Sequence, residues 1–282
     1  MTGRSAGLAP FKILGIDADL MIDVRDTGSI AHEAAGVDII GRPVNRRDCV
    51  AHGHQRELDA PAIEEGVRSN EQSIHPVALG LVASLARPGG NATGFNYLSA
   101  ETVGKRVGLL RELLPGAKKL GVLINPRDAT RAEIVLTQLR AASHSLGLEE
   151  HVLNAGTSEE IDAAFAAFAR QRMDALFVGP DPLFNSRRVQ FALMAVRHAI
   201  PAVYGAPDYV DAGCLMSYGA SIPDIYRQVG VYTGRILKGA KPADLPVVQS
   251  TRFELVINRQ AAKALGLEIP PMLLARADRV IE

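Results

Sequence analysis

The stretch that decides the fold is KKLGVLINP, Lys118 to Pro126. Its centre is a continuous apolar run, and an Asn-Pro pair follows it at once. A strand that is apolar at every position is typical of parallel α/β sheets, because helices cover both of its faces. We therefore predict a buried parallel strand here, with Asn125 standing just beyond its carboxyl end.

Segments of the same kind follow along the chain, and helical segments separate them. The further predicted strands are LEEHVLNAG (148–156), DALFVGP (174–180), IPAVYG (200–205), GCLMSYG (213–219) and VVQSTRFELVIN (247–258). The predicted helices cover 99–116 with Ser99 as N-cap, 129–147, 158–173 with Ser158 as N-cap, 185–199, 221–239 and 259–267. Strands and helices that alternate with short loops indicate a doubly wound parallel α/β sheet.

One further unit precedes these segments. VALGLVASLARPGG (77–90) has the apolar spacing of a helix, and NATGF (91–95) that of a short buried strand. Pro88 disfavours helix for Arg87, and Gly89 and Gly90 supply the positive φ that a helix end uses. We predict a helix that stops at this Pro-Gly-Gly and a strand directly after it.

Ligands of parallel α/β sheets bind beyond the carboxyl ends of the strands. Asn125 has a second interpretation as a simple turn with Pro126, and Asp181 as the cap of the next helix. Tyr204 and Tyr218 are either ordinary strand-end aromatics or part of an apolar wall with hydroxyl tips. We predict an amino acid as the solute, with its ammonium paired to Asp181. The candidate ligand-binding residues are Asn96, Asn125, Asp181, Tyr204, Gly205 and Tyr218.

The composition argues against several other functions. Lys+Arg and Asp+Glu both number 31, so no excess of positive charge favours nucleic acid as a partner. The two cysteines build neither a disulfide framework nor a thiolate zinc site, and Cys214 is interpreted as a small buried residue. His52 and His54 lack a third ligand in pattern. No acid, base and nucleophile come together in the sequence, so we predict no enzyme, no cofactor and no metal.

Residues 1–75 differ from the rest of the chain. LMIDV (20–24) and VDII (37–40) are strand-like, but the segment between 41 and 61 has neither helical nor strand periodicity. We predict that this part packs irregularly. Its beginning contains no continuous apolar run of the kind that a secretory signal needs, and the whole chain has no apolar run of about 18 residues that could span a membrane.

Several long segments together resemble the ABC-transporter substrate-binding proteins with the type I periplasmic-binding-protein fold. They are LGLVASLARPGGNATGF, LLRELLPGAKKLGVLINP, RHAIPAVY, AGCLMSYG, YTGRILKGAKPADLPVVQSTRFELVIN and AAKALGLEIPPMLLARADRVIE, which lie between residue 77 and residue 282.

The resemblance implies two doubly wound lobes, joined by crossing strands, that close on a small solute and deliver it to a membrane permease outside the cytoplasm. It places 76–98 and 221–282 in the N-terminal lobe and 99–220 in the C-terminal lobe, with 1–75 replacing most of the former. Two alternatives stay open. One is a cytoplasmic ligand-sensing domain of the same fold, which needs a helix-turn-helix that 1–75 does not show. The other is a truncated or frame-altered copy without function.

Overall fold

The structure, a computed structural model, describes residues 11–16 and 20–24 as backbone, and residues 77, 82–96 and 102–282 in full. The chain divides into two compact units. The first consists of residues 1–96 and 229–248, and the second of 97–228 and 249–282. The predicted strand LMIDV is confirmed, whereas the predicted strand VDII and the pair His52 and His54 lie outside the described residues.

The first unit contains a four-stranded sheet with the order β2-β1-β3-β9. Strand β1 pairs antiparallel with β2 and parallel with β3. A 3₁₀ turn precedes β9, and the hydroxyl of Thr93 in β3 donates a hydrogen bond of 2.7 Å to the Leu245 carbonyl after that turn. The elements are β1 (Phe11–Ile16), β2 (Leu20–Val24), β3 (Ala92–Asn96), the turn Pro242–Asp244 and β9 (Val248–Gln249).

The second unit is built on a seven-stranded sheet with the order β11-β10-β8-β7-β6-β4-β5. Neighbours from β5 to β8 are parallel, as predicted, and β10 pairs antiparallel with β8. Its strands are β4 (Lys119–Ile124), β5 (Glu149–Asn154), β6 (Ala175–Val178), β7 (Ala202–Tyr204), β8 (Met216–Ala220), β10 (Phe253–Asn258) and β11 (Arg279–Ile281).

Helices cover both faces of this sheet, which explains why its central strands β6 and β7 are apolar and fully buried. In β4, Val122 packs on one face and Leu123 on the other, and each face has its own buried cluster. The helices are α1 (Val103–Leu113), α2 (Ala129–Ser145), α3 (Ser158–Arg170), α4 (Pro182–Ser186), α5 (Arg188–Arg197), α6 (Pro207–Asp211), α7 (Ile222–Leu237), α8 (Arg259–Ala264) and α9 (Pro271–Ala275). The division between the units falls within α7. Within the described residues, no helix is both long and apolar enough to cross a bilayer.

Two predicted helix caps lie elsewhere. Helix α3 begins one residue earlier than expected, because the side chain of Thr157, not that of Ser158, accepts the hydrogen bond from the Glu160 N–H at 3.2 Å. Helix α1 begins at Val103, after Thr102, which makes no side-chain cap hydrogen bond, and the predicted cap Ser99 lies outside the described residues. Serine and threonine are both favoured at helix starts, so the sequence alone does not choose between such neighbours.

The predicted helix over 77–87 is wrong for its described part. Residues 82–91 form an irregular loop that the Ala83 N–H closes with a 2.9 Å hydrogen bond to the Pro88 carbonyl. The Ser84 hydroxyl exchanges hydrogen bonds of 3.0 Å with the Arg87 backbone, in competition with helical bonding. The expected positive φ is present at Gly89, with a value of 76°.

The long strand predicted over 247–258 is two strands, β9 and β10. The Arg252 carbonyl accepts hydrogen bonds from the Ser221 N–H at 2.9 Å and from the Ser250 hydroxyl at 3.3 Å, so the backbone leaves the strand path between them. Beyond this break, β10 pairs with β8 in the second sheet. Residues 249–282 therefore belong to the second unit, whereas the resemblance placed them in the first lobe.

Helix α5 ends with a residue in the left-handed conformation that is not glycine. Ala199 has a φ of 51°, and the N–H of Ile200 bonds back to the Ala195 carbonyl at 3.0 Å. Helices α2 and α6 have glycine at the corresponding position, Gly147 and Gly213. An L-residue in this conformation costs about 1–2 kcal/mol. Glycine avoids this cost, but part of the gain is offset because its backbone loses more entropy on folding.

We therefore expect Ala199→Gly to raise the free energy of unfolding by about 0.5–1 kcal/mol, measured by urea denaturation. Ala212→Gly is the matched control, because Ala212 at the end of α6 has a φ of −81° and gains nothing from glycine. The control variant should lose stability. Equal losses in the two variants would contradict the expected benefit at Ala199.

Candidate functional site

Two of the predicted residues meet at the carboxyl edge of the second sheet. Asn125 follows β4, Asp181 follows β6, and these two strands are neighbours. The Asn125 side-chain amide donates a hydrogen bond of 3.0 Å to one carboxylate oxygen of Asp181. Its own carbonyl oxygen accepts from the Arg127 N–H at 3.0 Å. Asn125 is thus a turn residue, as one interpretation held, and it also fixes the orientation of Asp181.

Asp181 is also the cap of helix α4. Its other carboxylate oxygen accepts a hydrogen bond of 3.2 Å from the Phe184 N–H, and Pro182 occupies the first turn. Each oxygen therefore has one described donor. Since a carboxylate offers about four acceptor positions, each oxygen keeps capacity for a further donor. The partly buried carboxylate is held in place without being saturated.

A small recess adjoins this pair. The N-terminal turns of α2 line its other side, where Asp128 caps the helix and forms a 3.0 Å ion pair with Arg131. The interior volume is about 10 Å³, close to what one water molecule needs. The recess can hold part of a solute but does not enclose one. The lining residues are Ile124, Asn125, Asp128, Arg131, Ala132, Val135, Gly179, Pro180 and Asp181.

A buried arginine at the same edge was not predicted. Arg106 of α1 is 0% exposed. One guanidinium nitrogen lies 3.5 Å from the Val178 carbonyl at the end of β6, and the guanidinium carbon lies 4.7 Å from the centre of the Phe177 ring. The sequence did contain a signal for it, because Arg106 falls on the apolar stripe between Val103 and Leu110 at helical spacing.

Gly205, another candidate, adjoins this arginine. A side-chain carbon at Gly205 would lie 3.2 Å from a guanidinium nitrogen of Arg106. The glycine is partly exposed at the end of β7, whereas the arginine is fully buried. On its other side the backbone of Gly205 presses against β8, where a side-chain carbon at Gly219 would overlap the Gly205 carbonyl.

Tyr204 is a core residue. It is 0% exposed, its ring stacks on Tyr209 with centroids 4.5 Å apart, and Phe191 meets it edge-on. Burial, followed by the neighbouring Cys214 thiol, raises the pKa of Tyr204 well above its ordinary value. The structure therefore favours the interpretation as an ordinary strand-end aromatic. Cys214 is buried as expected, and burial raises the pKa of its thiol to about 12.

Tyr218 and Asn96 belong to strands other than those that carry the Asn125–Asp181 pair. Tyr218 is partly buried in β8 and stacks on Phe253 with centroids 5.9 Å apart. Burial, with a smaller contribution from Asp278, raises the pKa of Tyr218. Asn96 ends β3 in the first unit and is 4% exposed. Among the described residues, no group of three or more His, Cys, Asp or Glu side chains could hold a metal ion.

The chain belongs to the ABC transporter substrate-binding protein family, whose model matches residues 72–281. The match begins close to residue 77, where the segments that resemble this family begin. The fold is accordingly the α/β fold of type I periplasmic-binding proteins, as predicted.

Among similar proteins is a tyrosine-binding protein of Clostridioides difficile, 29% identical over 194 residues. The match covers 68% of this chain but only 55% of that relative. One similar solved structure is a conserved domain protein of Vibrio cholerae, with 32% identity, a TM-score of 0.65, and coverage of 73% of this chain and 68% of the other. Another is an ABC domain of Streptococcus pneumoniae in complex with L-Trp, with 28% identity, a TM-score of 0.65, and coverage of 73% and 69%.

Proposed function

We propose that this protein is the solute-binding component of an ABC transporter and that its solute is an amino acid. The observation that carries the proposal is the carboxylate of Asp181, which two N–H donors orient at the carboxyl edge of a parallel sheet. An ammonium group has three donors and no acceptor, so it fits the remaining acceptor positions of that carboxylate.

The names of two relatives support this choice of solute. One is called a tyrosine-binding protein, and the other was solved with L-Trp. Since the chain matches only 55% of the length of the first, its own solute remains a proposal. Within the described part of the chain, we propose that Asn125, Asp181 and Gly205 contact the solute directly and that Tyr218 contributes an apolar wall. Tyr204 supports the strand end from the core.

The rest of the proposed role follows from the family. The solute-loaded protein delivers its amino acid to permease subunits in the membrane, outside the cytoplasm, and it catalyses no reaction. Neither a cofactor nor a metal is needed for this role, because the proposed contacts are hydrogen bonds and charge pairs supplied by the protein itself.

The test is calorimetry of the full chain against the twenty amino acids, followed by Asp181→Asn. Asparagine still caps a helix but carries no charge. We expect the variant to bind the preferred amino acid roughly ten- to a hundred-fold more weakly, the effect of losing about 1.5–3 kcal/mol from one charge-assisted hydrogen bond.

Asp174→Asn is the matched control. The Asp174 carboxylate also accepts two backbone hydrogen bonds, both of 2.8 Å, from the N–H groups of Lys118 and Lys119. Asp174 lies at the amino ends of β4 and β6, opposite the proposed site. The affinity of the Asp174→Asn variant for the amino acid should therefore equal that of the parent. Unchanged affinity in the Asp181 variant would remove Asp181 from the site, and a parent that binds no amino acid would refute the proposed function.

A further inference from the structure

The inference concerns Arg127, an exposed arginine at the carboxyl edge of the second sheet. Its backbone N–H donates a hydrogen bond of 3.0 Å to the side-chain carbonyl of Asn125, and the side-chain amide of the same asparagine donates one of 3.0 Å to Asp181. One asparagine side chain therefore connects the loop that carries Arg127 with the carboxylate of Asp181.

The side chain of Arg127 lies against the backbone of Gly156, which is buried just beyond the end of β5. A side-chain carbon at Gly156 would lie 3.1 Å from the Nε of Arg127 and 3.4 Å from the Oδ1 of Asn125. The guanidinium group therefore begins beside the asparagine that orients Asp181. Because Arg127 is exposed, a solute reaches its guanidinium without passing through the core.

The acidic side chains next to Arg127 have other partners. The Asp128 carboxylate accepts hydrogen bonds of 3.0 Å from the backbone N–H and from the Nε of Arg131. The Glu160 carboxylate accepts one of 2.6 Å from the Gly156 N–H. Within the described part of the chain, the guanidinium of Arg127 forms neither an ion pair nor a hydrogen bond. Its N–H donors are therefore available to an anionic group of a solute.

We propose that Arg127 binds the carboxylate of the solute at this edge, whereas Asp181 binds its ammonium. This inference rests on the proposed function, because it assumes that the solute is an amino acid. It adds a second charged contact to the site and places it on the other side of Asn125 from Asp181. A solute held in this way lies across the carboxyl ends of β5, β4 and β6.

The spacing of the strands fits a solute of this size. Strands β5, β4 and β6 are consecutive neighbours in the sheet, and Gly156, Asn125 and Asp181 follow them in that order. Neighbouring strands lie about 4.7–4.9 Å apart, so the two outer ends are separated by roughly 10 Å. An amino acid that makes a charge-assisted hydrogen bond of about 2.7–2.9 Å at each end spans most of that distance. An exposed arginine side chain changes its rotamer readily and closes the remainder.

Arginine suits this contact for a geometric reason. Its planar guanidinium presents N–H groups as a rigid fork that matches the two oxygens of a carboxylate, whereas lysine offers a point charge on a flexible stem. The carboxylate is common to all amino acids, so Arg127 recognises the class of solute rather than one member of it. Because water screens an exposed charge, its contribution is smaller than that of a buried charge pair.

The experiment compares each amino acid that the full chain binds with its carboxamide, in which an uncharged group of similar size replaces the carboxylate. Examples are tyrosine with tyrosinamide and tryptophan with tryptophanamide. Calorimetry gives the affinity ratio of acid to amide for the parent, for Arg127→Gln and for Arg127→Lys. We expect the parent to prefer the acid roughly three- to ten-fold. The ratio should fall to about one in Arg127→Gln and to an intermediate value in Arg127→Lys, which keeps the charge but loses the fork.

Arg140→Gln is the matched control. Arg140 is also exposed and also belongs to the second unit, but it lies about 16 Å along α2 from the first residue of that helix, away from the carboxyl ends of the strands. The substitution removes the same positive charge from the protein, so the ratio should stay as in the parent. A fall of the ratio in Arg140→Gln equal to that in Arg127→Gln would reveal an effect of net charge alone and overturn the proposal.

The outcomes separate the two proposals. A parent that binds amino acids but gives the same ratio as its Arg127→Gln variant overturns the role of Arg127 and leaves the proposed function standing. An arginine that only stabilises its loop would produce that result, because its loss would weaken the binding of acid and amide alike. A parent that binds no amino acid overturns both proposals.

Discussion

Gly219→Ala is expected to lower the free energy of unfolding of the second unit by about 3 kcal/mol or more. The new methyl group would overlap the Gly205 carbonyl oxygen and press on its carbonyl carbon. Neither atom belongs to a flexible side chain, so the strain can be relieved only by moving β7 away from β8. These strands are paired at Val203–Met216 and Tyr204–Ser217, and a shift would weaken both pairs.

Urea denaturation followed by circular dichroism measures this loss. Gly108→Ala is the control, because a side chain at Gly108 of α1 would meet no atom within 4 Å. Alanine is the better helix former by about 1 kcal/mol, so the control should unfold at slightly higher urea. A Gly219→Ala variant as stable as the parent would contradict the close approach of the Gly205 and Gly219 backbones.

The second large effect is expected at Phe191, the centre of the aromatic cluster under the site. Its ring meets those of Phe165, Phe184, Tyr204 and Tyr209 edge-on, with centroids 5.4–6.1 Å apart. Its side chain is fully buried. Phe191→Ala removes these contacts and leaves a cavity, which should lower the free energy of unfolding by about 3–5 kcal/mol.

The same helix provides the control for this substitution. Leu193 of α5 is 62% exposed, so Leu193→Ala should change the stability by no more than about 0.5 kcal/mol. Phe191→Leu keeps most of the volume and should fall between the two alanine variants. A loss of less than about 1 kcal/mol in Phe191→Ala would show that the cluster is not closely packed.

The sequence predicted the second sheet well, because strands covered on both faces have a strong local signal. KKLGVLI, DALFVG and IPAVY each have a continuous apolar run, and each contains a buried strand at the predicted place. The helix predicted before Arg87 failed because the Ser84 hydroxyl bonds to the loop backbone. Apolar spacing alone does not reveal that competition. Strand β1 was missed although β2 pairs with it locally, because its parallel partner β3 lies far along the chain and only the fold brings the two together.

The site was predicted in part. Polar residues that follow neighbouring strands meet at one edge, and this rule correctly brought Asn125 and Asp181 together. It could not distinguish Tyr204, which turns into the core, from a residue that faces outward. It also passed over Arg106, because the rule considers only the ends of strands and Arg106 comes from a helix that crosses them. Arginine at an apolar helix position is the sequence signal that indicates such a residue.

The antiparallel pairing of β10 with β8 has a consequence for the order in which the chain can fold. Strand β8 is buried and mostly apolar, and one of its two edges has no partner until residues 253–258 have been synthesised. During that interval it offers open backbone groups to any other extended chain, which is a known cause of aggregation. A chain truncated before Phe253 should therefore aggregate. A chaperone that shields this edge should improve the yield of the complete protein.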